Sequence, residues 1–295
     1  MTNIFVDPSM SDAERRARLF AGDLFVYSPT PSSEALCAFA REMVEEAFAP
    51  HYPPDAQHHL DNAQYVEILA KFKPAFINHP HCKELLRGVL TEAGCDPATT
   101  FFDVPRLRTM TSEFLNAGLT YQFHPHRDTW FSAPMCQVNW WLPVYELHET
   151  NVMAFHPRYF TEPVRNSSGD YNYGEWVATG RRAAAAQIEV ETRAQPEAQE
   201  HIEREPETCI IPKVGGLLLF SGAQLHTTIT NTSGRTRFSI DFRAVDLTDV
   251  EEHRGALNID SHCTGTTLGD FMRVGDYAAV PQDLVTAYDT APVRV

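Results

Sequence analysis

The spacing of apolar residues predicts that the first third of the chain is mainly helical. Over residues 33–48 the apolar side chains recur every three or four positions, which places them on one face of a helix. Ser11 and Glu14 have the spacing of a capping box, so a short helix is expected to begin there. Further helices are predicted over about residues 62–72 and 80–93. We expect these helices to support another part of the protein.

From about residue 100 the pattern changes to short β-rich stretches separated by turn residues. The predicted strands cover residues 99–102, 119–123, 137–144, 152–155, 209–211, 216–220, 227–230 and 237–245. Short strands that follow one another without long helices between them are typical of an antiparallel sandwich or barrel. Together with the helical first part, they predict an α+β fold.

Two segments lack this pattern of short β-rich stretches. Residues 161–206 are polar at first and then rich in Ala and Glu, and they are longer than an ordinary connection. They are expected to form an insertion, and the alternatives are a lid over a site and a solvated excursion without a role. After Val250 the chain carries no motif that predicts a function.

Composition and charge narrow the class of protein. Apolar residues make up 43% and charged residues 21% of the 295 residues, as in ordinary globular proteins. With 24 Lys and Arg against 39 Asp and Glu, the net charge of −15 disfavours nucleic acids and anionic membrane surfaces as partners. The apolar runs are shorter than the ~20 residues of a membrane span, and no signal peptide is recognisable. We therefore expect a cytoplasmic protein.

The cysteines give no indication of a metal or redox site. The six of them are scattered through the chain without a Cys-x-x-Cys pair. Buried free thiols are the simpler expectation.

Three potential metal ligands, His124, His126 and Asp128, occupy alternate positions in one short run. If that run is a strand, the alternation points all three side chains to one face. A histidine and a carboxylate two residues apart, with a third ligand elsewhere in the chain, match the facial triad of non-haem iron enzymes. That triad leaves coordination positions open for other molecules.

The third ligand and a carboxylate-binding pair are expected further along the chain. His226 follows an apolar strand and a sharp turn, and Arg237 lies eleven residues beyond it. Arg237 and Ser239 are two residues apart, so both side chains share one face of the last predicted strand. A guanidinium beside a hydroxyl is well suited to bind a carboxylate. The metal and the carboxylate are thus expected in one site.

These residues together resemble the iron(II)- and 2-oxoglutarate-dependent oxygenase superfamily, and within it the phytanoyl-CoA dioxygenase-like branch. The resemblance covers about residues 101–245. It implies a double-stranded β-helix (jelly-roll, cupin-like) core over residues 99–246. A helical buttress over residues 1–98 would precede this core and an extension over residues 247–295 would follow it, all within a single oxygenase domain of residues 1–295.

The resemblance also implies the role of each site residue. His126, Asp128 and His226 would bind Fe(II), Arg237 would bind the distal carboxylate of 2-oxoglutarate, and Ser239 would assist it. The implied reaction consumes dioxygen, hydroxylates an unactivated C–H bond of a small molecule and releases succinate and CO2. Because Asp128 is a carboxylate and not the small residue of the related halogenases, hydroxylation is expected over halogenation.

His124 leaves an alternative open. It could replace His126 in a His-x-His pattern, line the pocket, or lie on the barrel wall. As a ligand it would indicate a cupin-type metalloenzyme that does not use 2-oxoglutarate, and Arg237 would lose its role. A small-molecule-binding β-barrel without catalysis is a third possibility.

The remaining candidates have structural explanations of similar weight. Gln137 and Asn139 alternate along a predicted strand and could hydrogen-bond the cosubstrate or a metal ligand, or could simply be buried polar residues. The aromatic residues near the motif are pocket or core candidates: Trp130, Phe131, Trp140 and Trp141. Three arginines could bind an anionic substrate but are expected at the surface: Arg106, Arg108 and Arg127. The His79 to Cys82 run and the His58-His59 pair are expected to bind nothing.

Overall fold

The computed structural model describes residues 2–113, 124–179 and 195–290. Its α-helices are α1 (Asp12–Phe20), α2 (Pro31–Phe48), α3 (Asn62–Asn78), α4 (Pro80–Glu92), α5 (Tyr173–Thr179), α6 (Leu247–Glu251) and α7 (Gln282–Thr290). Its strands are β1 (Ile4–Val6), β2 (Leu24–Tyr27), β3 (Thr100–Phe102), β4 (Arg106–Met110), β5 (Val138–Pro143), β6 (Met153–Phe155), β7 (Thr208–Ile210), β8 (Leu217–Ser221), β9 (His226–Thr228), β10 (Arg237–Asp246) and β11 (Met272–Arg273).

Two sheets form the β part among the described residues. The larger has eight strands in the order β1-β2-β8-β5-β10-β3-β11, with β4 also paired to β10, and all of its pairings except β1 with β2 are antiparallel. The smaller sheet is β7-β6-β9 and is antiparallel. A large antiparallel sheet with a smaller one and flanking helices is consistent with the expected jelly-roll core.

The register of the central strands separates an apolar face from a polar one. In β10, Phe238, Ile240 and Phe242 are fully buried in the main hydrophobic core. The alternate residues of the same strand, beginning with Arg237 and Ser239, point to the other face because successive side chains of a strand lie on opposite sides. The chemistry-bearing residues of β10 therefore share the face opposite the main core.

The N-terminal helices cover the apolar face of the larger sheet. Leu36, Val44 and Phe76 of α2 and α3 belong to the same core cluster as Phe238 and Phe242. Burying a side chain of this size stabilises the fold by about 1.5–3 kcal/mol. The helices thus cover one face of the sheet, and Arg237 and Ser239 lie on the other face.

Local sequence signals account for most helix boundaries. Ser11 and Glu14 form the predicted capping box at the start of α1. Helix α2 begins two residues before the predicted position, because Thr30 caps it and Pro31 occupies the first turn. Helix α3 continues past Pro74 to Asn78, beyond the predicted end, and its inner face remains buried there.

The structure departs from the predicted elements in several places. Strands β1, β2 and β4 were not expected, and β2 extends the larger sheet beside β8. The strand predicted over residues 119–123 lies outside the described residues, as does part of the insertion at residues 161–206. The described parts of that insertion contain α5, β-bridge contacts and short turns. Within the described residues, no helix combines the length and apolar character needed to cross a membrane.

The expectation for the cysteines is met in part. Cys37, Cys82, Cys95 and Cys136 are buried free thiols, whereas Cys209 is exposed and Cys263 is partly buried. Burial raises the pKa of the Cys37 and Cys82 thiols to about 12. These two side chains are therefore neutral packing residues at physiological pH.

Candidate metal centre

His126, Asp128 and His226 come together at one end of the smaller sheet. Their ligand atoms all lie within 4.8 Å of one another, and no other group of three such side chains in the described part of the chain does so. The Nε2 atoms of His126 and His226 lie 3.6 Å and 3.9 Å from Oδ1 of Asp128. Two imidazoles and one carboxylate at these distances are a donor set for a divalent transition metal.

The backbone explains why two residues distant in sequence meet. His126 and His226 form an isolated antiparallel bridge, in which each backbone N–H donates to the other carbonyl oxygen at 3.0 Å. Their rings consequently lie side by side, with centroids 4.4 Å apart. His226 begins β9, as its position after an apolar strand and a turn predicted.

Asp128 reaches the cluster by a different route from the one expected. In a strand, His126 and Asp128 would point to one face, but Asp128 begins a short 3-10 helix over Asp128–Phe131. Hydrogen bonds from Thr129 N to Gly222 O (3.3 Å) and from Trp130 N to Arg127 O (3.1 Å) turn the chain away from the bridge. A turn, and not strand alternation, therefore brings the carboxylate to the histidines.

Hydrogen bonds fix the tautomer of both histidines. Nδ1 of His126 lies 2.7 Å from the carbonyl oxygen of His124, and Nδ1 of His226 lies 3.0 Å from that of Gln224. A carbonyl oxygen only accepts, so both Nδ1 atoms carry the proton and donate it. In the neutral form of each ring, Nε2 is then the nitrogen that carries the lone pair, as metal-ligating histidines require.

The Asp128 carboxylate is oriented by two amides. Its Oδ2 accepts hydrogen bonds from Asn139 Nδ2 at 2.7 Å and Gln137 Nε2 at 3.0 Å, and Gln137 also donates to Asn139 Oδ1 at 2.8 Å. The other oxygen, Oδ1, is the one that faces the histidines. Gln137 and Asn139 therefore lie where they hold one carboxylate oxygen and leave the second available.

The electrostatics favour the ligand forms of these side chains. Burial opposes ionisation of Asp128, but the hydrogen bond from His126 and the charges of His226 and Arg243 outweigh it and lower the pKa of the carboxyl. Burial, reinforced by His126, lowers the pKa of His226 to about 4 even though Asp128 acts in the opposite direction. At neutral pH the site thus presents a carboxylate and a neutral imidazole.

Arg237 and Ser239 are buried with unused hydrogen-bonding capacity. Arg237 is 6% exposed, and its Nη1 donates to Asn151 O at 2.9 Å. Its Nε and the Ser239 hydroxyl have no hydrogen-bond partner among the described residues. Burial lowers the pKa of Arg237 to about 10, so the side chain remains a cation at neutral pH. A buried cation beside an unsatisfied hydroxyl is a site for an anionic group.

The position of Arg237 relative to the metal cluster follows from the strand register. Its acceptor Asn151 precedes β6, and Phe155 at the end of β6 is paired with His226. The four steps from Asn151 to Phe155 span at most about 14 Å. Arg237, on β10 of the larger sheet, is therefore anchored just before a strand of the smaller sheet whose far end pairs with His226. The Trp141 ring lies 5.6 Å from the guanidinium carbon.

His124 does not join the ligand cluster. Its side chain is exposed, and the contact with His126 is made by its backbone carbonyl. The cupin alternative required the imidazole of His124 as a ligand, and the structure gives it no support.

The other candidates from the sequence fall into the core or into ion pairs. Trp130, Trp140 and Trp141 are buried, and Phe131 is partly buried. Arg106 and Arg108 pair with Asp103 and Asp241, at 2.6 Å in both cases. Arg127 was expected at the surface and is instead 1% exposed. His79 caps α4, and the exposed His58 ring contacts Gly234 O at 2.6 Å.

One buried histidine was not recognised from the sequence. His156 is 1% exposed, and neither ring nitrogen has a hydrogen-bond partner within the described ranges. Burial lowers its pKa. His156 directly follows β6, the strand that pairs with His226. This position next to a candidate ligand could have identified it from the sequence.

Comparisons with known proteins identify only similar structures. No family model matches the chain, and no curated protein matches it. The chain is similar to EvdO2 from Micromonospora carbonacea var. aurantiaca complexed with 2-oxoglutarate, at 10% identity and a TM-score of 0.46, covering 81% of this chain and 92% of that one.

Two further structures show the range of these similarities. The non-haem α-ketoglutarate-dependent epimerase SnoN from nogalamycin biosynthesis has 14% identity and a TM-score of 0.39, covering 80% of this chain and 84% of its own. AviO1 from Streptomyces viridochromogenes Tue57 has 11% identity and a TM-score of 0.39, with 81% and 97% covered. None of these three descriptions names the phytanoyl-CoA dioxygenase-like branch, which stays a prediction.

Proposed function

We propose that this protein is an iron(II)- and 2-oxoglutarate-dependent oxygenase that hydroxylates an unactivated C–H bond of a small molecule. The observation that carries the proposal is the combination of the His126, Asp128 and His226 cluster with a buried Arg237 that is anchored just before β6 and whose Nε has no partner among the described residues. A metal site alone supports many chemistries. The positive charge of Arg237 favours those chemistries in which a cosubstrate with a carboxylate binds beside the metal.

The residues present fit Fe(II). Two imidazoles and one carboxylate form the donor set that non-haem iron oxygenases use, and it leaves positions open for other ligands. The Nδ1 hydrogen bonds and the amides on Asp128 Oδ2 hold the three side chains in place before any metal arrives. A carboxylate at position 128 also occupies the place that a halide would need, which favours hydroxylation over halogenation.

The residues also fit 2-oxoglutarate. Its distal carboxylate would accept hydrogen bonds from Arg237 Nε and from the Ser239 hydroxyl, neither of which has a partner in the part of the chain that the structure describes. Charge-assisted hydrogen bonds of this kind are about twice as strong as neutral ones. The unsatisfied Nε and Oγ atoms therefore have a specific partner in this cosubstrate.

The chain's own contribution to the reaction is to bind, orient and exclude water. With 2-oxoglutarate and dioxygen bound, iron supplies an oxidant strong enough to attack an unactivated C–H bond, with succinate and CO2 as coproducts. Asn139 and Gln137 keep Asp128 turned towards the metal position. Phe155 and Phe220 pack beside His226 and make the surroundings of the site apolar.

The proposal includes the remaining predictions about the domain. The whole chain would act as one oxygenase domain with a double-stranded β-helix core, related to the phytanoyl-CoA dioxygenase-like branch. The insertion at residues 161–206, part of which lies outside the described residues, would be the lid. Its described part approaches the site at Tyr171, whose ring centroid lies 5.7 Å from that of Phe131, and the Phe131 ring lies 5.6 Å from that of His126.

The test is spectroscopic and needs no knowledge of the substrate. Fe(II) and 2-oxoglutarate are added to the protein without oxygen, and the visible metal-to-ligand charge-transfer band is recorded. Wild type should show the band, and Asp128→Ala, His226→Ala and Arg237→Ala should lose or weaken it at equal 2-oxoglutarate. Asp276→Ala and Arg158→Met change exposed side chains and are the matched controls. Absence of the band in wild type, or an equal band in Asp128→Ala, would exclude the proposed function.

A further inference from the structure

Arg127 stands between two candidate metal ligands in the sequence, yet its side chain is 1% exposed. Each of the three nitrogens of its guanidinium donates a hydrogen bond, and none of the acceptors is one of the three candidate ligands. Nη1 donates to Ala223 O at 2.6 Å, and Nη2 donates to the carbonyl oxygens of Tyr159 and, at 3.2 Å, Glu162. Nε donates to Asp260 Oδ2 at 3.0 Å. One side chain therefore joins segments that are far apart in the chain.

One of these contacts joins the two ligand-bearing segments directly. Arg127 is the residue between His126 and Asp128, and Ala223 precedes Gln224, whose carbonyl oxygen fixes the Nδ1 proton of His226. The guanidinium thus connects the backbone that carries one pair of ligands to the turn that orients the third.

The carboxylate of Asp260 is the counter-charge of the buried Arg127 guanidinium. It is 5% exposed, and its two oxygens accept hydrogen bonds from three donors. Oδ2 accepts from Arg127 Nε and from Val164 N at 2.9 Å, while Oδ1 accepts from Trp130 Nε1 at 2.8 Å. Burial lowers the pKa of Arg127 and Asp260 raises it, which indicates a cation that depends on its partner.

The chain around Asp260 also holds the short helix that begins at Asp128. The Ser261 hydroxyl donates to Thr129 O at 2.6 Å. Ser132 at the end of that helix donates its hydroxyl to Thr264 O at 2.8 Å and accepts a hydrogen bond from Thr267 N at 3.0 Å on its carbonyl oxygen. The C-terminal extension, in which the sequence showed no interpretable motif, therefore contacts the segment that carries Asp128.

We propose that the buried pair of Arg127 and Asp260 positions the metal ligands, so that the C-terminal extension is part of the metal centre. The inference rests on the proposed function, because it requires His126, Asp128 and His226 to bind a metal. Stability alone does not explain the pair, since replacing a buried ion pair by apolar side chains is often neutral or stabilising. A guanidinium fork that links two ligand segments does have a geometric role, and neither residue needs to touch the metal.

The experiment measures metal affinity and spectrum in folded protein. Co(II) replaces Fe(II) as the probe because it is stable in air and binds such donor sets more tightly than Fe(II). Arg127→Met, Arg127→Lys and Asp260→Asn are each titrated with Co(II), and the visible spectrum of the bound metal is recorded. Loss of a side chain that supports a metal ligand typically weakens affinity by about 10- to 100-fold. We expect that range for Arg127→Met and Asp260→Asn.

Arg127→Lys separates geometry from charge. Lysine keeps the positive charge but lacks the planar fork that bonds Asp260 and the carbonyl oxygens together. It should therefore weaken Co(II) binding nearly as much as Met does. Arg158→Met removes an arginine from an ion pair with Glu162 in which both side chains are about half exposed (56% and 49%), and it should leave Co(II) affinity unchanged.

A purely structural role is detected by measuring thermal unfolding of the metal-free variants beside their affinities. If a variant does not fold, the double variant Arg127→Met/Asp260→Leu removes both buried charges and supplies a folded comparison. The positioning inference predicts weakened binding and a shifted Co(II) spectrum in every folded variant of the pair, including the double one. Unchanged Co(II) affinity and spectrum in folded variants would overturn it, whatever their melting temperatures.

The outcomes also separate this inference from the proposed function. If wild type binds Co(II) but shows no Fe(II)/2-oxoglutarate band, the oxygenase function fails and the Co(II) affinities still decide the positioning role. If wild type binds no metal at all, both are overturned. If wild type shows the band and the variants of the pair match it in Co(II) affinity and spectrum, only the positioning role is wrong.

Discussion

Replacement of Arg237 by Met tests the cosubstrate site most directly, because this buried cation has unused hydrogen bonds. The side chain is 6% exposed, and Nε has no partner in the described residues. A hydrogen bond to a charged group contributes about 1.5–3 kcal/mol. Loss of one such bond to the distal carboxylate should raise the Kd for 2-oxoglutarate by about 10- to 150-fold, at tenfold for each 1.4 kcal/mol.

The same substitution should have a different effect on the protein without cosubstrate. Burial lowers the pKa of Arg237 to about 10, which shows that the cation is held in unfavourable surroundings. Met removes this cost and loses the hydrogen bond to Asn151 O. We therefore expect the urea midpoint of the metal-free variant to equal or exceed that of wild type.

The assay is an anaerobic titration of the Fe(II) protein with 2-oxoglutarate, followed by the charge-transfer band, with a urea denaturation series alongside. Arg158→Met serves as the control for loss of an arginine at an exposed site. An unchanged Kd for 2-oxoglutarate in Arg237→Met would refute the assignment of the carboxylate-binding residue. A weaker Kd that is accompanied by a large loss of stability would show that Arg237 is structural.

Three more predictions concern the metal site and its supports. Asn139→Leu removes the shorter hydrogen bond to Asp128 Oδ2 and should weaken Co(II) binding by about tenfold, as measured by titration. Co(II) at 100 times its Kd should stabilise wild type by about 2.7 kcal/mol in urea denaturation, and a chelator should reverse this; stabilisation of His226→Ala by the same amount would contradict the ligand set. Asp103→Asn should cost about 3–5 kcal/mol, because it leaves Arg243 without its buried partner. Burial raises the pKa of Asp103, but the charges of Arg106 and Arg243 outweigh burial, so the pKa is lower in the folded protein. The stability that the carboxylate provides is therefore present above the unfolded pKa of about 4 and is lost as the pH falls below that value. Wild type should therefore lose more stability than Asp103→Asn between pH 6 and pH 3.

The parts of the fold that sequence patterns predicted are those with long, uniform signals. Helix α2 and strands β5, β8 and β10 have apolar residues at regular helical or strand spacing, and their observed bounds lie within about two residues of the predicted ones. Strand β4 was missed because Arg106 and Arg108 interrupt its apolar pattern. Those arginines belong to the polar face of the sheet, where they pair with aspartates that are distant in sequence.

The candidate ligands could be proposed from spacing alone, but the way they meet could not. The pattern of His126 and Asp128 suggested a strand, whereas the observed turn depends on Gly222, a residue from the segment before His226. Short-range periodicity carries no information about such contacts. The tautomers of His126 and His226 are likewise set by carbonyl oxygens whose direction is a property of the folded loop.

The same reasoning explains why Arg127 was expected at the surface. A charged residue in a polar run is usually exposed, and the partner that makes burial possible, Asp260, is separated from it by 133 positions. A chain that ended before Asp260 would still contain every residue of the candidate triad and the carboxylate-binding pair. It would leave the Arg127 cation buried without a counter-charge and Thr129 O without its hydroxyl donor. If the positioning inference holds, the proposed metal centre needs the folded chain from the bridge at His126 to the C-terminal extension, and its ligand residues alone would not be sufficient.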